Sequence, residues 1–380
     1  MAHRSMTNEI RTRRTRGIVL AGAHAWDGQA LDGVLPRCLL PVALTPLICY
    51  VLRWLREAGV VETTVCANSA SRCARRFLTD GSDFGVVLDY FEDWVPRGPA
   101  GCVHDAALGT DADLFVVTEG AVIPPFPLRE LLQTHLRNNA TLTVVLTHEA
   151  DQPAGAPDLQ PAGVYVFDRR ALGYIPKMSY QDIKEILLPK LRQSGEAVVP
   201  YITGRPPVRV SGLDSYLAVN EYMVHEICRT REAVPGYRRM GESLVHESAH
   251  VCPDARLIGP NLIGPRTHIA SEVTLVGPTA IGGGCRVDRG ALVNRCVLWD
   301  GVVVGSGSMA FCVILPSGAN IAAGRHVSHT LVVPARQPED RAAEGPGASA
   351  GSPKAADTCA TCDCEQMPPI VQIPAPSDRP

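Results

Sequence analysis

The sequence predicts an α/β fold, in which a Rossmann-like, mostly parallel sheet with helices on both faces is followed by a left-handed parallel β-helix of hexapeptide repeats. Two observations carry this prediction: short β-rich runs alternate with amphipathic stretches up to about residue 230, and aliphatic residues then recur every six positions. With 380 residues, 46% of them hydrophobic, the chain can bury two ordinary cores. We place a flexible basic leader at 1–16, the α/β domain at 17–232, the β-helix at 240–334 and a disordered Pro/Ala/Gly-rich tail at 335–380.

The α/β half is predicted from the period of its apolar residues. The predicted strands are 17–21, 62–67, 86–90, 114–118, 142–147 and 164–167, and the predicted helices are 46–58, 71–78, 99–107, 128–138 and 182–193. Strands and helices that alternate imply right-handed crossovers and parallel neighbours. Ligands of such sheets bind beyond the carboxyl ends of the strands, so we expect a site in the loops after Leu20, Tyr90 and Thr118.

The β-helix is predicted from a repeat of six residues. Nine aliphatic residues follow in strict steps: Val245, Val251, Leu257, Ile263, Ile269, Leu275, Ile281, Val287 and Val293. After a slip, the series continues as Val297, Val303, Met309, Leu315, Ile321, Val327 and Val333. A period of six fits neither a helix nor a flat sheet, whereas three hexapeptides complete one coil of a triangular prism. The alternative is an irregular β-rich domain with accidental spacing.

Composition excludes several classes of function. A net charge of −3 gives no global attraction to nucleic acid or an anionic membrane. No stretch approaches 18 apolar residues and the basic leader lacks a signal-peptide core, so we expect a cytoplasmic protein. Ten of the thirteen cysteines are scattered singly and fit free buried thiols. Cys359, Cys362 and Cys364 cluster in the tail, where a soft-metal site and plain disorder both remain open.

Several motifs carry a resemblance to a known family. They are "IVLAG" (18–22), "LPRCLLPV" (35–42), "PRGPAG" (96–101), "PAGVYVFDRRALGYIP" (161–176), "DSYLAVN" (214–220) and the trailing hexapeptides. In this order and spacing the chain resembles the sugar-1-phosphate nucleotidylyltransferases, notably the mannose-1-phosphate guanylyltransferase type, over about residues 17–333. The resemblance implies attack of a sugar phosphate on the α-phosphate of a nucleoside triphosphate, with release of pyrophosphate.

The resemblance also implies site residues. The nucleotide-binding candidates are Leu20, Ala21, Gly22, Ala23, Gly98 and Gly101. Gly163 and Tyr165 correspond to the sugar subsite, and Glu119 to a magnesium ligand. Arg37 stands where the family has a catalytic lysine and keeps its charge, although an ordinary surface arginine is the alternative. Gly98 and Gly101 would let a base approach the backbone, or form an ordinary turn before a helix.

Three departures from the family pattern bear on activity. The first loop reads Gly22-Ala23-His24-Ala25-Trp26-Asp27 where the family has approximately G-G-x-G-T-R, so Asp27 replaces a cation. At about 4 Å from a phosphate this exchanges an attraction for a repulsion, each about 4 kcal/mol at an effective dielectric constant near 20. Residues 207–212 contain no second acid for a metal, and 147–160 contain no counterpart of the sugar-phosphate lysine.

These losses favour a weakly active or inactive sugar-nucleotide-binding or assembly subunit. The alternative is an active enzyme that forms an NDP-sugar and pyrophosphate, with Mg²⁺ as its cofactor. A lesser alternative is a hexapeptide acyltransferase that uses one of five histidines: His246, His250, His268, His326 or His329. The expected partners are a nucleotide or sugar nucleotide and, through the β-helix, either a homo-oligomer or a hetero-oligomer with an active relative.

Overall fold

The computed structural model describes residues 13–22, 31, 34–68, 71–94, 96–148, 159–205, 207–230 and 232–332. The chain divides into two compact units. The sheet unit consists of Met1–Ala25, Pro36–Leu39 and Leu47–Arg209, and the β-helix unit of Trp26–Leu35, Leu40–Pro46 and Val210–Pro380. Most of the leader 1–16, the loop from Ala23 to Asp27 and the tail 335–380 with its three cysteines lie outside the described residues.

Strands of the sheet unit form a mostly parallel sheet, as predicted. The strands up to residue 209 are β1 (Thr15–Leu20), β2 (Pro41–Val42), β3 (Thr45–Pro46), β4 (Glu62–Ala67), β5 (Val87–Glu92), β6 (Leu114–Glu119), β7 (Val122–Ile123), β8 (Leu142–His148), β9 (Leu159–Asp168), β10 (Val198–Ile202) and β11 (Val208–Arg209). Seven of them form one sheet in the order β10-β8-β9-β6-β1-β4-β5. Only β9 runs antiparallel to its neighbours, β6 and β8. The carboxyl ends of β1, β4, β5 and β6 therefore meet at one edge.

Amphipathic sequence forms the helices that accompany this sheet. They are α1 (Leu47–Glu57), α2 (Cys73–Leu78), α3 (Gly98–Ala107), α4 (Leu128–Arg137) and α5 (Leu188–Gln193). A π-helical turn, Ile183–Leu187, leads into α5, and the Asp182 carboxylate caps it by accepting hydrogen bonds from two backbone N–H groups. The single helix predicted over 182–193 is thus two segments of different winding.

Strand ends differ from the predictions by a few residues. Strand β4 matches the predicted 62–67 at both ends, whereas β1 begins at Thr15, inside the predicted leader. Arg16 is held there by ion pairs with Glu62 and Asp89. Strand β9 is much longer than the predicted 164–167, because its ladder with β8 continues past an irregularity at Val144/Leu146.

The β-helix unit consists of three stacked parallel sheets, as the hexapeptide repeat predicts. One sheet contains β13 (Ser243–His246), β16 (Asn261–Ile263), β19 (Thr279–Ile281), β22 (Val297–Leu298) and β25 (Ile314–Leu315), with β12 (Tyr237–Met240) antiparallel to β13. The second contains β14 (His250–Val251), β17 (His268–Ile269), β20 (Arg286–Val287), β23 (Val303–Val304) and β26 (Asn320–Ile321). The third contains β15 (Arg256–Ile258), β18 (Thr274–Val276), β21 (Leu292–Asn294), β24 (Met309–Phe311) and β27 (His326–Ser328).

The predicted inward register is wrong by one residue between 297 and 309. Ile281 pairs with Leu298 rather than Val297, and Val293 pairs with Ala310 rather than Met309. Met309 is 46% exposed while Ala310 is fully buried. The cause is a change in coil length: register partners are 18 residues apart between Ile263 and Ile281 but 17 apart between Ile281 and Leu298. Leu315 and Ile321 point inward as predicted.

The difference of one residue between 18-residue and 17-residue coils lies at a corner of the prism. In an 18-residue coil, Gly277 and Pro278 connect β18 to β19. The next coils turn instead on Arg295, Cys312 and His329, whose φ angles of 52°, 51° and 48° are left-handed. The N–H group of each donates to a carbonyl of the preceding coil, on Val276, Asn294 and Phe311 respectively. A single residue with left-handed φ therefore forms the corner that a Gly-Pro pair forms in the longer coil.

Helix α6 (Leu213–Arg229) holds a tight hairpin in the β-helix unit. Strands β2 and β3 are joined by Ala43 and Leu44, both at positive φ, which is the backbone of a type I′ turn. The Asn220 side chain accepts a hydrogen bond from the Ala43 N–H at 2.9 Å. The Tyr216 hydroxyl donates to the Pro41 carbonyl at 2.5 Å. Two residues of the "DSYLAVN" motif thus have a structural role.

Among the described residues, no helix is both long and apolar enough to cross a bilayer. The ten described cysteines are all free, and eight of them are buried.

Candidate functional site

A cavity of about 170 Å³ lies beyond the carboxyl ends of β1, β4 and β5, where the fold predicts a ligand. Its lining comes from strand ends, loops and the start of α3: Leu20, Gly22, Cys66, Ala67, Asn68, Asp93, Pro96, Gly98, Pro99, Cys102 and Tyr180. Three of the sequence-predicted nucleotide-binding residues, Leu20, Gly22 and Gly98, therefore line the same cavity. The lining is largely apolar with a few polar groups, as is usual for small-molecule sites.

The chain leaving β1 is fixed by its neighbour β4. The N–H groups of Ala21 and Gly22 both donate to the Cys66 carbonyl, at 2.9 and 3.2 Å. The Asn68 amide donates in return to the Gly22 carbonyl at 2.8 Å. A Cβ on Gly22 would lie 2.8 Å from Asn68 Cγ, so this approach requires glycine. The structure thus orders the entrance of the first loop, while Ala23 and the rest of that loop lie outside the described residues.

Gly98 begins α3 in a conformation that favours glycine. Its φ is +78°, and a Cβ there would lie 2.5 Å from the Gln181 carbonyl oxygen. That carbonyl accepts a hydrogen bond from the Ala100 N–H at 3.0 Å, and the Gln181 N–H donates to the Arg97 carbonyl at 2.6 Å. The segment before α5 therefore packs on the start of α3. Gly101 makes a different contact, because a Cβ there would lie 2.6 Å from the Arg97 Cβ.

Two polar or aromatic side chains give the cavity its chemistry. Burial raises the pKa of the Asp93 carboxyl, and the negative charge of Asp105 raises it further. Tyr180 is 56% exposed although it borders the cavity, and its ring lies 3.0 Å from the position of a Gly98 Cβ. A carboxyl that accepts hydrogen bonds beside an exposed aromatic ring could hold a flat heteroaromatic group.

Arg37 lies in a short 3-10 turn, Arg37–Leu39, and is half-buried. The next residue, Cys38, is buried, and its Cβ lies 3.1 Å from the position of a Cβ on Gly120. The Gly120 N–H donates to the Leu20 carbonyl at 3.0 Å. The turn that carries Arg37 is therefore beside the ends of β1 and β6, and its catalytic role stays a prediction.

Glu119, the predicted magnesium ligand, is engaged by an arginine. Its Oε2 lies 2.9 Å from Nη1 of Arg209, and the Nη2 of Arg209 donates to the Ala162 carbonyl at 3.2 Å. A Cβ on Gly163 would lie 2.8 Å from Oε1 of Glu119 and 2.6 Å from the Nη2 of Arg209. Gly163, predicted at the sugar subsite, thus packs directly on this ion pair.

This donor set does not fit a magnesium ion. Mg²⁺ needs a near-octahedral set of oxygen ligands, whereas a guanidinium offers only N–H donors and a like charge. Across the described residues, no three His, Cys, Asp or Glu side chains are grouped closely enough to hold a metal. Arg209 is one of the residues 207–212 in which the sequence shows no acid, and it supplies a cation there instead.

Tyr165, the second predicted sugar contact, is buried in the sheet core. It is 3% exposed and packs edge-on against Phe167, with ring centroids 6.3 Å apart. Burial raises the pKa of its phenol, and the nearby Glu119 carboxylate raises it further. Its role in binding a sugar stays a prediction, whereas its buried side chain packs in the core of the sheet unit.

Comparison with known proteins agrees with this architecture. The nucleotidyl transferase family model matches residues 31–156. A mannose-1-phosphate guanylyltransferase of Mycobacterium tuberculosis (strain ATCC 25618 / H37Rv) is 25% identical over 325 residues, which cover 80% of this chain and 84% of the relative. The chain thus resembles the sugar-1-phosphate nucleotidylyltransferases in sequence. The "probable mannose-1-phosphate guanylyltransferase 3" of Oryza sativa subsp. japonica is 24% identical and covers 62% and 73% of the two chains. A glucose-1-phosphate thymidylyltransferase of Mycolicibacterium smegmatis (strain ATCC 700084 / mc(2)155) is 42% identical over 86 residues, 22% of this chain and 30% of that one.

Sequence reasoning missed several residues of this candidate site. Asn68, Asp93 and Tyr180 border the cavity, and none of them was a predicted site residue, although Asp93 lies in the loop after Tyr90 where a site was expected. Arg209 had a usable signal, since a cation stood where the family pattern expects an acid. The histidines considered for acyl transfer lie on the β-helix, where His250 and His268 stack at 5.0 Å between centroids.

Proposed function

We propose that this protein binds a nucleotide or sugar nucleotide in the cavity beyond β1, β4 and β5, and that it catalyses nucleotidyl transfer weakly or not at all. The observation that carries the proposal is the cavity itself, which Gly22 and Gly98 line together with Asp93 and Tyr180. Its position beyond the carboxyl ends of parallel strands is where sheets of this kind bind ligands.

The polar lining supports binding of a base. Asp93 offers carboxyl oxygens that accept hydrogen bonds from amino and ring N–H groups, and Tyr180 offers an exposed face for stacking. Stacking of a base on an aromatic side chain contributes about 1–3 kcal/mol. The names of two relatives specify guanylyl transfer to mannose 1-phosphate, so GDP-mannose is the first ligand to test.

Loss of turnover is supported by charge. Phosphoryl chemistry requires cations placed where negative charge develops, and removal of one such group can lower the rate a hundredfold or more. In the sequence Asp27 stands where the family has an arginine, and residues 147–160 contain no counterpart of the sugar-phosphate lysine. Glu119 is paired with Arg209 rather than with a second carboxylate. Each change is expected to reduce stabilisation of the transition state more than it reduces the affinity for a product-like ligand.

Binding is tested by calorimetric titration of the full chain with GDP-mannose, GDP and UDP-glucose. Tyr180→Ala is expected to raise the dissociation constant by about 5- to 150-fold, because stacking energy of about 1–3 kcal/mol is lost. Tyr222→Ala is the matched control, since Tyr222 is an exposed tyrosine of α6 in the other unit. Binding that is unchanged in Tyr180→Ala would place the base elsewhere.

Turnover is tested in the same preparation by release of pyrophosphate from GTP, Mg²⁺ and mannose 1-phosphate. The expected result is no release above a protein-free blank. Steady release would establish the alternative, an active enzyme that makes an NDP-sugar. Acetyl-CoA in a parallel assay addresses the acyltransferase alternative, for which thiol release is the readout.

An assembly role is supported by the outer face of the third β-helix sheet. Ile258 and Met309, on β15 and β24, point away from the prism and are 51% and 46% exposed. Val276 and Phe311 occupy outward positions of the same sheet. Exposed apolar side chains that follow one face are typical of surfaces that contact another protein.

A further inference from the structure

We propose that Arg209 takes the place of a divalent cation at Glu119, so that this protein binds the diphosphate of its ligand without Mg²⁺. The proposal deepens the proposed function and rests on it for the identity of the ligand. Its metal-binding part, by contrast, stands on the geometry of Glu119 and Arg209 alone.

The ion pair is positioned by secondary structure. Glu119 is the last residue of β6, and Arg209 is the last residue of β11. Strand β11 pairs antiparallel with β7, which places Arg209 opposite Val122, three residues after Glu119. The β7–β11 ladder therefore positions the Arg209 guanidinium beside the Glu119 carboxylate.

Three chain segments build the pair. Glu119 Oε2 contacts Nη1 of Arg209 at 2.9 Å, and the Ala162 carbonyl accepts a hydrogen bond from Nη2 at 3.2 Å. Gly163 provides the space, because its φ of +78° and missing Cβ leave room for both charged groups. A side chain at 163 would overlap the carboxylate and the guanidinium together, so the glycine suits the ion pair itself.

The charge balance of the pair opposes metal binding. The carboxylate's charge is already compensated by the Arg209 guanidinium. A divalent ion at Glu119 would have to displace Arg209 or lie beside its positive charge. With Glu119 engaged by Arg209, waters and phosphate oxygens would have to supply the rest of the octahedral shell that Mg²⁺ requires.

Arg209 also retains capacity to bind an anion. Its side chain is 37% exposed, whereas that of Glu119 is 21% exposed, so the guanidinium is the more accessible partner. Guanidinium N–H groups form a planar fork that matches phosphate oxygens. The ligand class that this fits is a nucleoside diphosphate or an NDP-sugar, whose two phosphates are negatively charged.

Metal binding is tested first by electron paramagnetic resonance of Mn²⁺, which loses its free-ion signal when bound. The wild-type chain is expected to leave the same free Mn²⁺ signal as Glu119→Gln. Arg209→Asp, which supplies a second carboxylate, is expected to take up one Mn²⁺, provided that its circular dichroism matches the wild type. Uptake of Mn²⁺ by the wild type that Glu119→Gln abolishes would overturn the proposal, and this comparison needs no Arg209 variant.

Ligand binding is tested by titrating GDP-mannose into the wild type in excess Mg²⁺ and again in EDTA. The two dissociation constants are expected to agree within about twofold, and Arg209→Gln is expected to raise both by about tenfold or more. Binding more than about tenfold tighter in Mg²⁺ than in EDTA would contradict the proposal. If GDP-mannose, GDP and UDP-glucose bind in neither buffer, the proposed function fails, while the Mn²⁺ experiment still decides the role of Arg209.

Discussion

Replacement of Tyr216 by phenylalanine is expected to destabilise the β-helix unit strongly, because one hydroxyl joins three segments. Tyr216 is completely buried. Its hydroxyl donates to the Pro41 carbonyl at 2.5 Å and accepts from the indole N–H of Trp299 at 2.9 Å. Tyr216→Phe keeps the ring and removes only this oxygen, so both neighbours lose a partner inside the protein.

The size of the effect follows from the two groups left without a hydrogen bond. A buried polar group that loses its partner lowers the free energy of unfolding by about 1–3 kcal/mol. Part of this loss is offset, because phenylalanine has no hydroxyl that must leave water when the chain folds. We expect a net loss of about 2–4 kcal/mol in the free energy of unfolding. For a unit of this size, that corresponds to a fall of roughly 4–16 °C in Tm.

The assay is urea unfolding followed by far-UV circular dichroism, with each unit's transition fitted separately if two are resolved. Tyr222→Phe, an exposed position on the same helix, is the control and is expected to match the wild type. Trp299→Phe completes a double-mutant cycle, in which removal of both partners costs less than the sum of the single losses by about 1 kcal/mol. Additivity of the two losses within about 0.3 kcal/mol would refute the argument.

Two further predictions concern a glycine and a histidine of the sheet unit. Gly163→Ala places a Cβ at φ +78° and 2.6 Å from Arg209 Nη2, so we expect the free energy of unfolding in urea to fall by about 1–3 kcal/mol. Gly173→Ala is the control, because no atom lies within 4 Å of its Cβ. Equal urea midpoints for the two variants would contradict the expectation. Burial lowers the pKa of His135 to about 4, so the unfolded chain binds a proton that the folded chain refuses. The stability from a neutral His135 is therefore complete above about pH 6.5 and is lost as pH falls towards 4, by up to about 3 kcal/mol. His135→Gln should flatten the stability profile between these pH values, and superimposable profiles would show that His135 is not the group responsible.

The α/β half was largely predictable because apolar period and turn residues are local signals. Strand 62–67 has five buried residues in a row after Glu62, which is typical of a central parallel strand. The direction of β9 was not predictable in this way, since antiparallel pairing with β6 and β8 is decided by long-range contacts. The π-helical turn at Ile183–Leu187 likewise has the same apolar spacing as a helix over short distances.

In the β-helix, the six-residue period predicts the inward side chains of only part of the series. The step of six predicted the inward side chains from Ile263 to Val293, but a one-residue corner at Arg295 shifted the series. Met309 looked like an inward residue because it is apolar and correctly spaced, although Ala310 takes that position. A corner of this kind carries no characteristic residue, so only the hydrogen-bonded ladder reveals it.

The candidate site was predicted in its backbone but not in its side chains. Gly22 and Gly98 were identifiable because they lie in motifs that resemble those of the family. The structure adds that Gly22 closely approaches Asn68 and that Gly98 has a positive φ. Asp93 lies in the loop after Tyr90, where a site was expected, but no local pattern marked its side chain. Tyr180 comes from a loop whose position depends on packing across the sheet unit. Pairing of Glu119 with Arg209 spans 90 residues of chain and required the ladder between β7 and β11.

The corners at Arg295, Cys312 and His329 imply that this prism tolerates changes of length at one edge. Each corner is closed by its own hydrogen bond to the coil before it, so a residue gained or lost there leaves the two other edges in place. Insertions and deletions between relatives should therefore accumulate along this edge and be selected against along the others. Alignments that assume a constant repeat would misplace every buried side chain beyond the first such corner, whereas alignments built coil by coil would not.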